Sequence, residues 1–182
     1  MMKWSAFLLS LITFAAVHEG MHASAARLYN EFESFNIRPI GFEVKYRTPV
    51  GERSGMHWAL VAGAGNVVTI LAGYALLLFG GKLSILRALF TRTFFCYLTL
   101  VLFLADPLNL SIGPFLYGGD AEGVAVGLGV PLYGIQVLFF IVFLVNRELV
   151  VRRLFPMYHV QVNHILFRPL VPRGKRDKKA AY

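Results

Sequence analysis

The chain has 182 residues, room for one domain rather than two, and its single cysteine, Cys96, excludes an internal disulfide or a Cys-based zinc cluster. Hydrophobic residues make up 57% and charged residues 15%, against roughly 45–50% and 25% in soluble domains; disorder, a fibrous repeat and a nucleic-acid-binding globule are poor fits, and the chain is too apolar to be soluble. Most of the net charge of +8 lies from Arg147 onward, where nine Lys/Arg face only Glu148 and Asp177, a pattern that reads as a positive-inside anchor beside anionic headgroups rather than a nucleic-acid arm.

A membrane span needs about 20 apolar residues at 1.5 Å each. Charge-free stretches place candidate helices at 4–29, 57–79, 85–105 and 131–150, with a short helix at 120–130 ahead of Pro131. Lys3 and the apolar run after it resemble a signal peptide, but no small-residue cleavage site follows cleanly. The first segment is therefore read as a transmembrane helix. Residues 30–56 are polar, and Gly41–Arg47 alternates like a strand before Thr48-Pro49-Val50-Gly51, which suits a small hairpin at the membrane surface. Residues 106–119 are apolar yet carry two prolines and three glycines. That stretch is expected to be broken, lining a polar site within the membrane. The expected fold is an all-α polytopic membrane protein of about four transmembrane helices, with this broken segment and the hairpin. Residues 1–155 form its core and 156–182 a basic juxtamembrane tail.

Within the first helix stands His18-Glu19-Gly20-Met21-His22. Residues four apart share a helix face, so both imidazoles can bind one metal, while Glu19 can take a proton from a bound water. Shuffling this composition yields about 0.005 such motifs per chain. Fourteen residues separate Trp4 from His18, about 21 Å of helix, deep in a core about 30 Å thick where ionisable groups are costly and functional by default. Zinc takes a third protein ligand and leaves one position open. Asp120, Glu122, Asp106 and His57 are the candidates. Asp120 is favoured because it starts a new helix after Gly118-Gly119, with Glu122 next, about 200° round that helix. Asp106, ahead of Pro107, is expected to cap the third span or meet headgroups.

These residues resemble the site-2 proteases, zinc metalloproteases that cut within the membrane. The first motif is matched by His18-Glu19-Gly20-Met21-His22. Ala62-Gly63-Ala64-Gly65-Asn66 looks like the family's Gly-Pro-x-x-Asn segment without its proline, and Asn109 to Asp120 looks like the third motif, with wider spacing. The resemblance implies zinc on His18, His22 and Asp120, Glu19 as general base, and Asn66 and Asn109 positioning an extended substrate or its oxyanion. It implies hydrolysis of a peptide bond in or near a transmembrane segment of a membrane-protein substrate, in a multi-pass protein of a prokaryotic cell membrane. A noncatalytic membrane subunit on the same scaffold is the alternative, favoured a little by the small size. The basic tail places the C-terminus in the cytoplasm, and four spans would place the N-terminus there too. His18 would then lie nearer the opposite face, whereas prokaryotic members of the family generally open their site to the cytoplasm. An extra broken span through 106–130 would reconcile the two.

Overall fold

The computed structural model describes residues 2–38, 41–116 and 119–170. In chain order they form α1 (Met2–Leu28), β1 (Phe32–Arg38), β2 (Gly41–Tyr46), α2 (Met56–Ser84), α3 (Leu89–Ile112), α4 (Asp120–Leu128) and α5 (Leu132–Leu149). After α5 come a π-helical turn, Val150–Leu154, and one last helical turn, Phe155–Met157. Four helices are long and apolar enough to cross a membrane: α1, α2, α3 extended to Phe115, and α5 extended to Met157. β1 and β2 pair antiparallel from Arg38↔Gly41 to Phe32↔Tyr46, with a bulge near Phe32. The protein is an all-α polytopic membrane protein with a small surface hairpin.

Helix α3 is central. It packs against α1, α2 and α5, while α4 lies along α2. Half of α3's most apolar window is buried, against 28–33% in the other three spans, which turn their remaining apolar side chains outward to lipid. Small residues set the closest approach. A Cβ on Gly127 of α4 would fall 2.1 Å from the Ala59 backbone nitrogen of α2, so only glycine allows the two backbones to meet there.

The expectation of a broken backbone from residue 106 is corrected. α3 continues through Pro107 to Ile112, then tightens into a 3-10 turn at Gly113–Phe115. A proline removes the hydrogen bond to the carbonyl four residues back, here Phe103, and in lipid such an orphan costs several kcal/mol. The Asn146 side chain of α5 supplies the missing donor, 2.9 Å from the Phe103 oxygen. Near the helix end, Gln136 of α5 donates to the Ser111 carbonyl at 3.2 Å. The break is thus confined to the stretch after Ile112, of which Tyr117 and Gly118 lie outside the described residues. Of the two arrangements left open for 106–130, α4 does not supply an extra span: it has nine residues, about 14 Å, too short to cross.

The hairpin caps one end of the bundle. Tyr46 packs edge-on to Trp58 at 5.6 Å, and the Arg53 guanidinium covers both rings at 4.9 and 4.4 Å. Thr48 ties the chain back to Glu31 through its hydroxyl at 2.7 Å. At the opposite end Val150, Leu154 and Phe155 close a core around Phe103. There Arg147, which is buried, holds the C-terminal segment through the carbonyls of Leu166 and Arg168.

Candidate metal centre

One face of α1 carries His18 and His22 into the bundle, where they are 7% and 1% exposed. Space for them comes from α2. A Cβ on Gly65 would lie 2.5 Å from His22 Nε2 and 2.7 Å from the His18 carbonyl. Any larger residue at that position would fill the space the imidazole occupies.

Each imidazole is fixed through its Nδ1. That of His22 lies 2.8 Å from the Val61 carbonyl, and a carbonyl only accepts, so Nδ1 carries the proton. His18 Nδ1 lies 3.0 Å from Asp106 Oδ1, an ion-pair distance off ideal hydrogen-bond alignment. Asp106 is itself 1% exposed and accepts the Thr69 hydroxyl on its other oxygen. Both rings therefore present Nε2 lone pairs inward.

Asp120, at the first position of α4, completes the group. Its Oδ2 lies 3.2 Å from His18 Nε2 and 3.4 Å from His22 Nε2, and the two Nε2 atoms are 3.0 Å apart. Asn66 of α2 donates to the same carboxylate oxygen at 3.1 Å. Three acceptor atoms facing one another at this range repel unless a proton or a metal cation sits between them. The edges of a tetrahedral zinc site with bonds of about 2.0–2.1 Å measure about 3.3 Å. The observed triangle has that size. His18, His22 and Asp120 are a group that could hold a metal ion, and the anchored Nδ1 atoms give it the carboxylate and carbonyl backing of known metal-binding histidines.

The remaining candidates lie elsewhere. Glu19 is half-buried on α1, where the charges of His22, His18 and Asp120 act on it and the Val44 backbone amide of β2 is its partner. Glu122 is outside the group and exerts its charge on Arg53. His57 stands at the hairpin end, 3.9 Å from Glu31 and tilted against the rings of Tyr29 and Trp58. Asn109 remains within α3, its carbonyl accepting the Gly113 amide. Asn66 directs its amide at Asp120 and leaves its buried Oδ1 without a partner among the described residues.

One candidate takes a different role from those weighed for it, and one residue of the site gave no signal in the sequence. Asp106, expected as a cap or headgroup contact, is corrected to a buried support of His18. Only the continuation of α3 through Pro107 turns it inward. Tyr46 carries a hydroxyl on which the charges of Asp120 and Glu19 both act. Burial first, and then those two carboxylates, raise it above the ordinary tyrosine range, so it stays protonated as a donor. Arg53 moves the other way: burial lowers it, opposed by the charges of Tyr46, Glu122, Glu31 and Asp120. Comparison of the chain with family models, with curated proteins and with solved structures finds no match in any of the three.

Proposed function

We propose that this chain is an intramembrane zinc metalloprotease, acting on a peptide bond in or near a transmembrane segment of a substrate protein. The observation that carries the reading is the inward-facing triangle of His18, His22 and Asp120 with Glu19 beside it on the same helix. Zinc bound there would act as a Lewis acid and lower the pKa of water. Glu19 takes the proton of the attacking water and passes it to the leaving amine as the C–N bond breaks. Asn66 holds Asp120 in place, while Asp106 and Val61 hold the two imidazoles. A helical peptide bond is shielded and already hydrogen-bonded, so the substrate must unwind before cleavage. β2, whose backbone lies at Glu19, is suited to receive an extended strand.

The same reading includes a sidedness. Among the described residues, the end where α1 starts and α5 finishes carries Lys3, Lys82, Arg87, Arg92, Arg147, Arg152, Arg153 and Arg168 against Glu148 alone. By the positive-inside rule this end is cytoplasmic, which puts the hairpin and the metal group nearer the outer face. Reporter fusions at residues 50 and 180 test it, and a cytoplasmic signal at 50 with an external one at 180 inverts the assignment.

Purified protein should hold close to one zinc per chain. It should cut single-span helical peptides that carry helix-breaking residues, with products identified by mass. Glu19→Gln should retain zinc and fold while losing cleavage. A folded, metal-free preparation from zinc-supplemented cells, or undiminished cleavage by Glu19→Gln, overturns the reading.

A further inference from the structure

Away from the metal group, two cavities open between the N-terminal ends of α1 and α3. The first, about 390 Å³, is lined by Lys3, Arg92, Thr93, His159 and Gln161 together with Tyr158. The second, about 350 Å³, is formed by Lys3, Trp4, Phe7 and Tyr97. They share Lys3 and Tyr97. The first, whose lining also takes in Leu89, Leu100, Phe155 and Val160, is the more polar chamber and the second an apolar groove, meeting at a lysine.

Electrostatics and hydrogen bonding both ask for an anion in the chamber. No carboxylate lines either cavity, and neither Lys3 nor Arg92 has an ion-pair partner among the described residues. The Tyr158 hydroxyl is buried and has no hydrogen-bond partner among the described residues. Burial pushes it up to about 12, which keeps it a donor. An unsatisfied buried hydroxyl costs free energy, which a bound acceptor recovers once the Tyr158 ring turns its oxygen into the chamber. His159, held at φ 54 as the chain leaves the last helical turn, adds its ring to the same wall. The groove points to something more than a small ion. Trp4, 71% exposed, Phe7 and Tyr97 form an edge-to-face series at 6.3 and 5.4 Å, a lipid-facing aromatic surface. Lys3 begins α1 and Arg92 lies in the first turn of α3, so both sit where basic side chains meet headgroups.

We infer that the paired cavities form one binding site for an anionic phospholipid, its phosphate in the chamber beside Lys3, Arg92 and Tyr158 and an acyl chain along Trp4, Phe7 and Tyr97. The site is independent of the metal group and of the proposed proteolysis.

The test uses the full chain in neutral detergent, titrated with dioleoylphosphatidylglycerol or dioleoylphosphatidylcholine, with bound lipid read by native mass spectrometry. One phosphatidylglycerol should be retained in preference to phosphatidylcholine. Lys3→Gln/Arg92→Gln should weaken its retention roughly twenty-five-fold, at about a fivefold loss per basic residue near the headgroup. Lys82→Gln/Arg87→Gln removes the same charge from exposed positions outside both cavities and should stay within about twofold. Tyr158→Phe should lower retention several-fold with the fold unchanged. Equal retention of the two lipids overturns the inference, as does equal loss in both double variants. Complete displacement of the lipid by inorganic phosphate would make the chamber a free-anion site and also overturn it. Should Lys3→Gln/Arg92→Gln fail to fold, Tyr158→Phe decides: unchanged retention overturns the site.

Discussion

From the last turn of α1 to the start of α2, at the hairpin end, the five cations Arg27, Arg38, Lys45, Arg47 and Arg53 stand among the four carboxylates Glu31, Glu33, Glu43 and Glu52. At the other end, eight Lys/Arg among the described residues share Glu148. The hairpin end partners several of its cations internally: Arg38 pairs with Glu43 at 2.7 Å, Arg27 lies 4.3 Å from the Phe32 ring, and Arg53 covers Tyr46 and Trp58. At the basic end Arg147 draws on backbone carbonyls and Arg152 on Glu148, while Lys3 and Arg92 line an open cavity. Internal compensation can hold ligands rigidly a few ångströms apart. Uncompensated cations can only be completed from outside, by the membrane.

The largest effect expected is at the hairpin end. Gly65→Ala should abolish metal binding, because its Cβ would lie 2.5 Å from His22 Nε2; metal content of the purified variant against wild type checks this. A variant with full metal would mean that α1 and α2 can separate there without loss.

Removing a ligand comes next in severity. Asp120→Asn should lose most of the bound metal, because a carboxamide is a poorer ligand than a carboxylate that offsets the ion's charge. Asp106→Asn should weaken metal affinity 10–100-fold, the usual consequence of losing a carboxylate behind a ligating histidine. The sequence alone pointed to a far smaller effect for Asp106, because it was placed at the end of a span. Glu122→Gln should leave metal content unchanged. Competitive titration with a chelator measures all three. Zinc loss in Glu122→Gln with full zinc in Asp120→Asn would relocate the third ligand.

A smaller effect distinguishes the framework from the site. Asn146→Leu should destabilise the fold by about 1–3 kcal/mol, since the Phe103 carbonyl loses its donor at Pro107 and the Tyr74 hydroxyl loses its acceptor at 2.6 Å. Thermal unfolding in detergent measures it, and any loss of metal in the folded fraction should not exceed that of Asp106→Asn. The smallest effect belongs to Arg53→Ala, about 0.5–2 kcal/mol from the lost guanidinium–ring contacts. It should loosen the hairpin, read as faster amide exchange in β2, without shifting the lipid preference of the basic end. A change at both ends would show that the two are coupled.

Sequence by itself determined the spans and the imidazole pair. Both depend on local properties: a run of apolar residues long enough for a bilayer, and the four-residue spacing that puts His18 and His22 on one helix face. The hairpin was legible for the same reason, from the alternation of Gly41–Arg47. Tertiary structure decided what surrounds the two rings. Whether α3 breaks at Pro107 depends on Asn146 arriving from α5 to take up the Phe103 carbonyl, and on that continuity rests the inward placement of Asp106. The Val61 carbonyl that sets the His22 tautomer belongs to the backbone, which no residue type announces. The close approach that leaves room for the group depends on Gly65 meeting α1, while Gly127 brings α4 down onto α2. Helix periodicity is written in neighbouring residues, but orphaned carbonyls and interhelical clearances are resolved only when distant segments pack, because their partners lie on other helices.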